Sequence, residues 1–287
     1  MFSKSKSGNA PERMGRFISA SVKGANHADK GLPCQDAATG AVLYYKGYKF
    51  YFMAVADGHG GAAYTRSDAG SFLALQAASE SVNRFIMYVV DVYEKFPDNW
   101  AELVKEDFSG RFGKMLVSNW LRMVESHAGE KETYTDETVK LYGTTVSVAL
   151  VVNDRLFAGR VGDSSVFVLS GQNNNVSVKN IFEADEKESE NPGLETASLC
   201  SHEAYRKWQI KTMALDEVKM ILLATDGFSD SFRDTNEVVG NFYREINKKG
   251  AGNFEQNIVK ELNQVSQSGV GDDISLSIFL CDSGDRV

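Results

Sequence analysis

Cysteine is scarce in this chain of 287 residues, and the three present, Cys34, Cys200 and Cys281, lie far apart with no C-x-x-C pair. An odd, scattered set excludes a disulfide framework or a cysteine zinc site and suits a reducing compartment. No run of about 18 apolar residues occurs, so no transmembrane helix is expected. The N-terminus, Met1 to Arg13, is polar and lacks the apolar stretch of a signal peptide. Positive charge is in deficit. Against 39 Asp and Glu stand 31 Lys and Arg, a net charge of -8. That balance argues against nucleic acid and against an anionic membrane as partners. The expectation is a soluble, cytoplasmic protein.

What the chain does have is 43% hydrophobic residues, enough for a sizeable core. Residues 1–13 read as a disordered tail and 14–284 as a single domain, with no internal repeat and no clear linker. Phe17 to Val22 alternates like a strand, and a polar loop follows from Lys23 to Cys34. Ala41 to Tyr45 and Phe50 to Ala56 form a hairpin around Lys46-Gly47. Over residues 62–128 Gly and Pro become rare. Phe72, Leu75, Val82, Phe85, Ile86 and Val89 recur at helical spacing, which predicts a buried helix face. Pro97 and Asp98 break that helix, and Asp98 or Asn99 is placed to cap a second one to about His127. Strands return at Thr144 to Val152, Arg155 to Val161 and Ser165 to Ser170. Residues 172–177 read as a polar loop and 183–190 as a solvated acidic stretch. Met220 to Thr225 is a buried strand. Helices over 236–249 and 253–267 follow, split by Gly250-Ala251-Gly252, and Ile274 to Leu280 closes the chain. Strands and helix pairs in this order predict antiparallel sheets covered by helices.

The informative feature is where aspartates fall. Asp36 precedes a strand. Asp57 follows Phe52-Met53-Ala54-Val55-Ala56, Asp163 follows Phe157 to Val161, and Asp226 follows Ile221-Leu222-Leu223-Ala224, with Asp230 one turn on. Asp272 and Asp273 precede Ile274 to Phe279. A single aspartate at a strand end is an ordinary turn residue. Repeated placement of this kind points to one cleft lined by carboxylates. Such charges repel strongly unless a divalent cation lies between them. Oxygen-only ligands favour magnesium or manganese over zinc or copper.

Five motifs then occur in a fixed order: Asp57-Gly58-His59-Gly60-Gly61, Gly143-Thr144-Thr145, Val161-Gly162-Asp163-Ser164, Thr225-Asp226-Gly227 and Gly271-Asp272-Asp273-Ile274-Ser275. Together they resemble the metal-dependent Ser/Thr protein phosphatases of the 2C type. Gln35-Asp36 and the loop before it look most like a bacterial branch. The resemblance implies an α+β fold of two stacked antiparallel β-sheets flanked by pairs of antiparallel helices, an αββα sandwich. It implies a centre of two manganese or magnesium ions, with room for a third, and hydrolysis of phosphoserine and phosphothreonine by a metal-bridged hydroxide. Asp57 would bridge the two ions, and the Gly58 carbonyl would complete one site. Asp226 and Asp272 would bind the other ion, and Asp36 would hold its waters. Asp163 and Asp230 resemble ligands of the third ion. His59 would be the general acid for the leaving oxygen.

The chain departs from the family at three places. Gln35 stands where a glutamate is usual. No arginine occurs in Lys23-Gly24-Ala25-Asn26-His27 to hold the substrate phosphate, which leaves His27 or Lys23 for that role. Residues 171–215 lack a Thr-x-Asp-His-like segment, so the flap over the site is expected to be reduced or rebuilt. The implied partner is a phosphorylated protein made by a Ser/Thr kinase, met by a monomeric enzyme. Two other readings stay open: a weak or inactive pseudophosphatase that serves as a binding module, and a phosphatase for a small phosphorylated metabolite.

Overall fold

The computed structural model describes residues 15–129, 134–172, 175–183 and 196–281. Its strands form two five-stranded antiparallel sheets. The first is ordered β1 (Arg16–Val22), β10 (Ile274–Leu280), β9 (Val218–Ala224), β6 (Ser165–Gln172), β7 (Asn175–Asn180). The second is ordered β2 (Ala37–Tyr45), β3 (Tyr48–Ala56), β4 (Val146–Val152), β5 (Arg155–Val161), β8 (Gln209–Ala214). Helices α2 (Ser67–Lys95), α3 (Trp100–Asp107) and α4 (Gly113–Ala128) cover the second sheet, and α7 (Thr235–Lys249) and α8 (Ala251–Ser268) cover the first. This is the expected αββα sandwich.

The near-continuous apolar runs of the central strands follow from this layering. In β3, Phe50, Phe52 and Ala54 pack toward the helices, while Tyr51, Met53 and Val55 pack against the opposite sheet. In β9, Met220, Leu222 and Ala224 meet α7 and α8, and Ile221 and Leu223 fill the space between the sheets. Successive side chains of a strand point to opposite faces, so a strand covered on both sides must be apolar at every position. The hairpin turn at Lys46-Gly47 has positive φ at both residues, 48° and 81°, as a twisted two-residue connection requires.

Several sequence expectations need correction. Within the stretch 172–177, expected as a loop, Gln172 ends β6 and Asn175 to Ser177 open a further strand, β7. β7 is an edge strand with Val176 and Val178 turned inward and polar residues outward, so its composition hides it. β8, with Gln209 and Lys211, escaped notice for the same reason. The polar loop after Lys23 contains a short helix, α1 (Ala25–Asp29), and another, α5 (Asp136–Lys140), precedes β4. Phe72 does not pack in the core; it is 57% exposed, whereas Leu75, Val82, Phe85, Ile86 and Val89 are buried. Asn99 does stand at the N-cap of α3, but without a side-chain capping bond. The acidic stretch beyond Glu183 and the tail at 1–13 lie outside the described residues. Among those described, no helix is long and apolar enough to cross a membrane.

The second helix of the pair is broken by a π-helical turn, Phe108–Phe112, between α3 and α4. Trp208, just before β8, uses that break. Its Nε1–H donates to the Phe108 carbonyl at 3.0 Å, and its ring lies against Phe108 and Phe112. The indole also lies over Gly159 of β5, so closely that a side chain there would overlap it. The residue thereby ties the connection into β8 to the helical layer. Trp208→Phe keeps an aromatic ring but strands the Phe108 carbonyl. We expect it to lower unfolding free energy by about 1–3 kcal/mol, read as an earlier urea midpoint with unchanged slope; a midpoint equal to wild type would show that the bond contributes nothing.

Candidate active site

The aspartates meet because of strand register. Ala37 pairs with Ala56, which sets Asp36, just before β2, beside Asp57, just after β3. Leu276 and Ser165 both pair with Ala224, so Asp272 before β10, Asp163 before β6 and Asp226 after β9 come to the same end of the other sheet. Val146 opposite Val161 brings Thr144-Thr145 to the turn that carries Asp163. Asp226 begins a short helix, α6 (Asp226–Ser229), and Asp230 follows it with its N–H donating to the Asp226 carbonyl at 2.8 Å.

Buried threonines hold this end rigid. The Asp57 carbonyl accepts from Thr144 Oγ1 and from the Thr145 N–H, each at 2.8 Å, and its N–H donates to Thr145 Oγ1 at 3.1 Å. The two threonines precede β4 and fasten the Asp57 backbone on both sides, a role their sequence did not disclose. Thr225 does the same for the other sheet. Its hydroxyl accepts from the Ser275 N–H at 2.9 Å and donates to the Ser275 carbonyl at 3.3 Å. Gly58 sits where a Cβ would come within 2.5 Å of the Gln35 carbonyl and 2.7 Å of the Ser67 carbonyl, so only glycine allows Gln35-Asp36 to approach Asp57-Gly58.

Burial and mutual repulsion dominate the electrostatics. The Asp57 carboxyl is pushed well above the ordinary carboxylate range by burial first, then by the charges of Asp36 and Asp226. Asp36 is raised in the same direction by burial, and Asp273, Asp226 and Asp272 add to it. Asp226 is raised by burial and by Asp163, Asp272 and Asp230, against a hydrogen bond with Asp57 that lowers it. Asp36 Oδ2 is buried without a partner. Such a set of oxygens fits a hard divalent cation, which supplies the missing positive charge and a partner for the orphaned oxygen. Among the described residues no three His, Cys, Asp or Glu side chains stand close enough to hold an ion as they are. The two observations agree physically, because charges couple over several ångströms whereas coordination needs about 2.0–2.6 Å.

The remaining residues take these places. Asp163 Oδ2 accepts from Thr196 Oγ1 at 3.0 Å. Asp272 is exposed, and its Oδ1 accepts from the Asp273 N–H at 2.8 Å. His59 is half-buried; its N–H donates to the Gly143 carbonyl at 3.0 Å and its ring stands edge-on to Tyr64. Lys23 is exposed just beyond β1. His27 lies in α1 with Nδ1 2.9 Å from Asp273 Oδ2, close but off the line of an N–H bond, so the contact is one of proximity and charge. Burial, then the Asp273 charge, pushes the Cys34 thiol up to about 12, which leaves it protonated and unreactive at neutral pH. Sequence reasoning passed over Asp273 as a site residue, although its place beside Asp272 was a signal.

The raised carboxyls make a signed prediction for the metal-free protein. Each of Asp36, Asp57 and Asp226 holds its proton to higher pH in the folded state than its ordinary value of 3.8. In that window the folded chain binds more protons than the unfolded one, so their contribution to stability falls as pH rises. Asp57→Asn removes one such group. It should raise the thermal midpoint of the metal-free protein more at pH 8 than at pH 4.5. An equal effect at both values would refute the buried, repelling arrangement.

Comparison with known proteins follows the same line. Among curated proteins none matches this chain. Solved structures do. A bacterial serine phosphatase superposes with TM-score 0.57 at 16% identity, covering 96% of this chain and 100% of that one. The catalytic domain of the serine threonine protein phosphatase PstP, in complex with two manganese ions, gives TM-score 0.56 at 16% identity over 93% and 97%. The serine/threonine phosphatase Stp1 from Staphylococcus aureus gives 0.54 at 13% over 95% and 96%. At such identity these establish the fold alone. The sequence model of protein phosphatase 2C matches residues 23–263, most of the chain and all the motifs but the last. The chain therefore belongs to the protein phosphatase 2C family.

Proposed function

We propose that this protein is a metal-dependent phosphatase that removes phosphate from phosphoserine and phosphothreonine in proteins, with residues 14–284 acting as one catalytic unit. Phosphomonoester hydrolysis is the activity of its family. The observation that carries the finer reading is the set of carboxyls at one end of the sandwich, buried Asp36 and half-buried Asp57 and Asp226, each raised by desolvation and by neighbouring aspartates. In this reading Asp57, the Gly58 carbonyl, Asp226 and Asp272 would hold two manganese or magnesium ions, Asp57 serving both and Asp36 acting through bound water, and Asp163 and Asp230 would serve a third. Bound there, divalent ions supply water acidified toward neutral pH and neutralise the phosphoryl oxygens. They also offset the protein's own negative field, which would otherwise repel phosphate.

His59 donates a proton to the serine or threonine oxygen as its bond to phosphorus breaks, two residues from Asp57 on a backbone fixed to Gly143. With no arginine between residues 23 and 27, His27 and Lys23 are the groups for the substrate phosphate. His27 is the better held of the two, because it rests beside Asp273 while Lys23 is exposed. The partner is a phosphoprotein produced by a Ser/Thr kinase, and the enzyme works as a cytoplasmic monomer.

The deciding measurement is hydrolysis of a phosphothreonine peptide with and without manganese. Turnover should require manganese and should vanish in Asp57→Ala; no turnover by wild type at any manganese concentration would sink the reading. A second expectation concerns His59→Ala. It should lower turnover of the peptide about 100-fold or more while sparing p-nitrophenyl phosphate, whose leaving group needs no proton. Equal losses on both substrates would remove His59 from the acid role.

A further inference from the structure

Asp273 adjoins the carboxylate cluster, but both of its oxygens face backbone donors. Its side chain is 2% exposed. Oδ1 accepts from the Gly24 N–H at 2.6 Å, and Oδ2 accepts from the Gln35 N–H at 2.5 Å. One carboxylate therefore grips both ends of the segment that joins β1 to β2. The middle of that segment is tied to the same region: the Asn26 N–H donates to the Gly271 carbonyl at 2.9 Å, and the Ala25 N–H donates to Ser266 Oγ, which itself donates to the Asp272 carbonyl. Gln35 passes the constraint on. Its carbonyl accepts from the Gly58 N–H at 3.0 Å, and its neighbour is Asp36. A continuous chain of short bonds thus runs from Asp272-Asp273 through Gln35-Asp36 to Asp57-Gly58, with His27 against the same carboxylate.

The chemistry requires an acid at this position. Two backbone N–H groups face one side chain, so two acceptor oxygens are needed. An asparagine would offer one oxygen and would turn an NH2 toward the other N–H, leaving a buried donor unsatisfied. The negative charge also draws the Nδ1 side of the His27 ring toward Asp273, and the opposite ring nitrogen, Nε2, then faces away from it.

We propose that Asp273 is a positioning residue that sets the spacing of Asp36, Gly58 and Asp272 for metal and holds His27 for the substrate phosphate. This rests on the proposed phosphatase reading. The prediction is a coupled loss: Asp273 variants should bind metal more weakly and also raise KM, although Asp273 touches neither metal nor substrate.

The test uses the full chain as wild type, Asp273→Asn, Asp273→Ala and His27→Gln. Manganese affinity is read by calorimetry, folding by thermal melting, and KM and kcat on the phosphothreonine peptide. Asp273→Asn should fold, bind manganese at least about tenfold more weakly and raise KM. His27→Gln should raise KM and keep wild-type manganese affinity. Asp273 variants that melt earlier yet keep wild-type manganese affinity and KM would overturn the proposal. Failure of both Asp273 variants to fold would also overturn it, by making Asp273 a folding residue. Because manganese affinity is read without turnover, a wild type that binds manganese but hydrolyses nothing sinks the phosphatase reading alone, and the Asp273→Asn affinity still decides the positioning role. A wild type that binds no manganese overturns both.

Discussion

Asp57 and Asp226, one from each sheet, bring their carboxyls to one end of the sandwich, where desolvation and neighbouring aspartates raise both. Ionised carboxylates gathered in a low dielectric repel one another unless a proton or a cation lies between them. Much of the surrounding structure can be understood as the means of holding them there. Thr144 and Thr145 fix the Asp57 backbone from the β4 side, and Thr225 joins the Asp226 turn to β10. Asp226 is the hub, since Asp57, Asp163, Asp272 and Asp230 all act on it. Repulsion on this scale favours separation of the two sheets at this end. The three buried layers of apolar contact, one between the sheets and one outside each, oppose that separation.

The layering also explains why function concentrates at strand ends. Central strands are largely apolar on both faces and carry no carboxylate along their length, although β5 buries Arg160. The first place at which a carboxylate can stand is the residue just beyond the last pair. Asp57, Asp163, Asp226 and Asp272 all occupy such positions or the residue next to them. Antiparallel pairing then decides which ends coincide. The backbone that carries Asp57 is held by hydrogen bonds to Thr144 and Thr145, while the carboxylates as they stand are short of the convergence that coordination requires.

The substrate side is built differently. It lacks the arginine that the family resemblance led one to expect, and the groups proposed in its place, His27 and Lys23, lie at the segment bonded to Asp273. That segment reads as polar loop in sequence and folds as a short helix, stapled at both ends by one buried acid. The place of Asp273 beside Asp272 marks it as a residue near the site but does not disclose this task. Its partners, the Gly24 and Gln35 N–H groups, are some 240 residues away along the chain.

Sequence alone determined the strands and helices whose periodicity was strong. Arg155–Val161 and Ile274–Leu280 have the ends expected of them, and the aspartates that border β2, β3, β5, β9 and β10 were identifiable by position. It determined the family too, because five motifs in order carry more information than any one. It did not reveal β7 or β8, whose polar outer faces belong to sheet edges, nor the exposure of Phe72, which a helical period assigns to the core. Those depend on what lies across from a residue. Tertiary structure alone decided which aspartates repel one another, that threonines act as clamps, and that Asp273 faces two backbone donors instead of the cleft. The physical reason is that period and composition report a residue's own burial, whereas charge coupling and hydrogen bonding report its partners, and partners are set only when distant strands come into register.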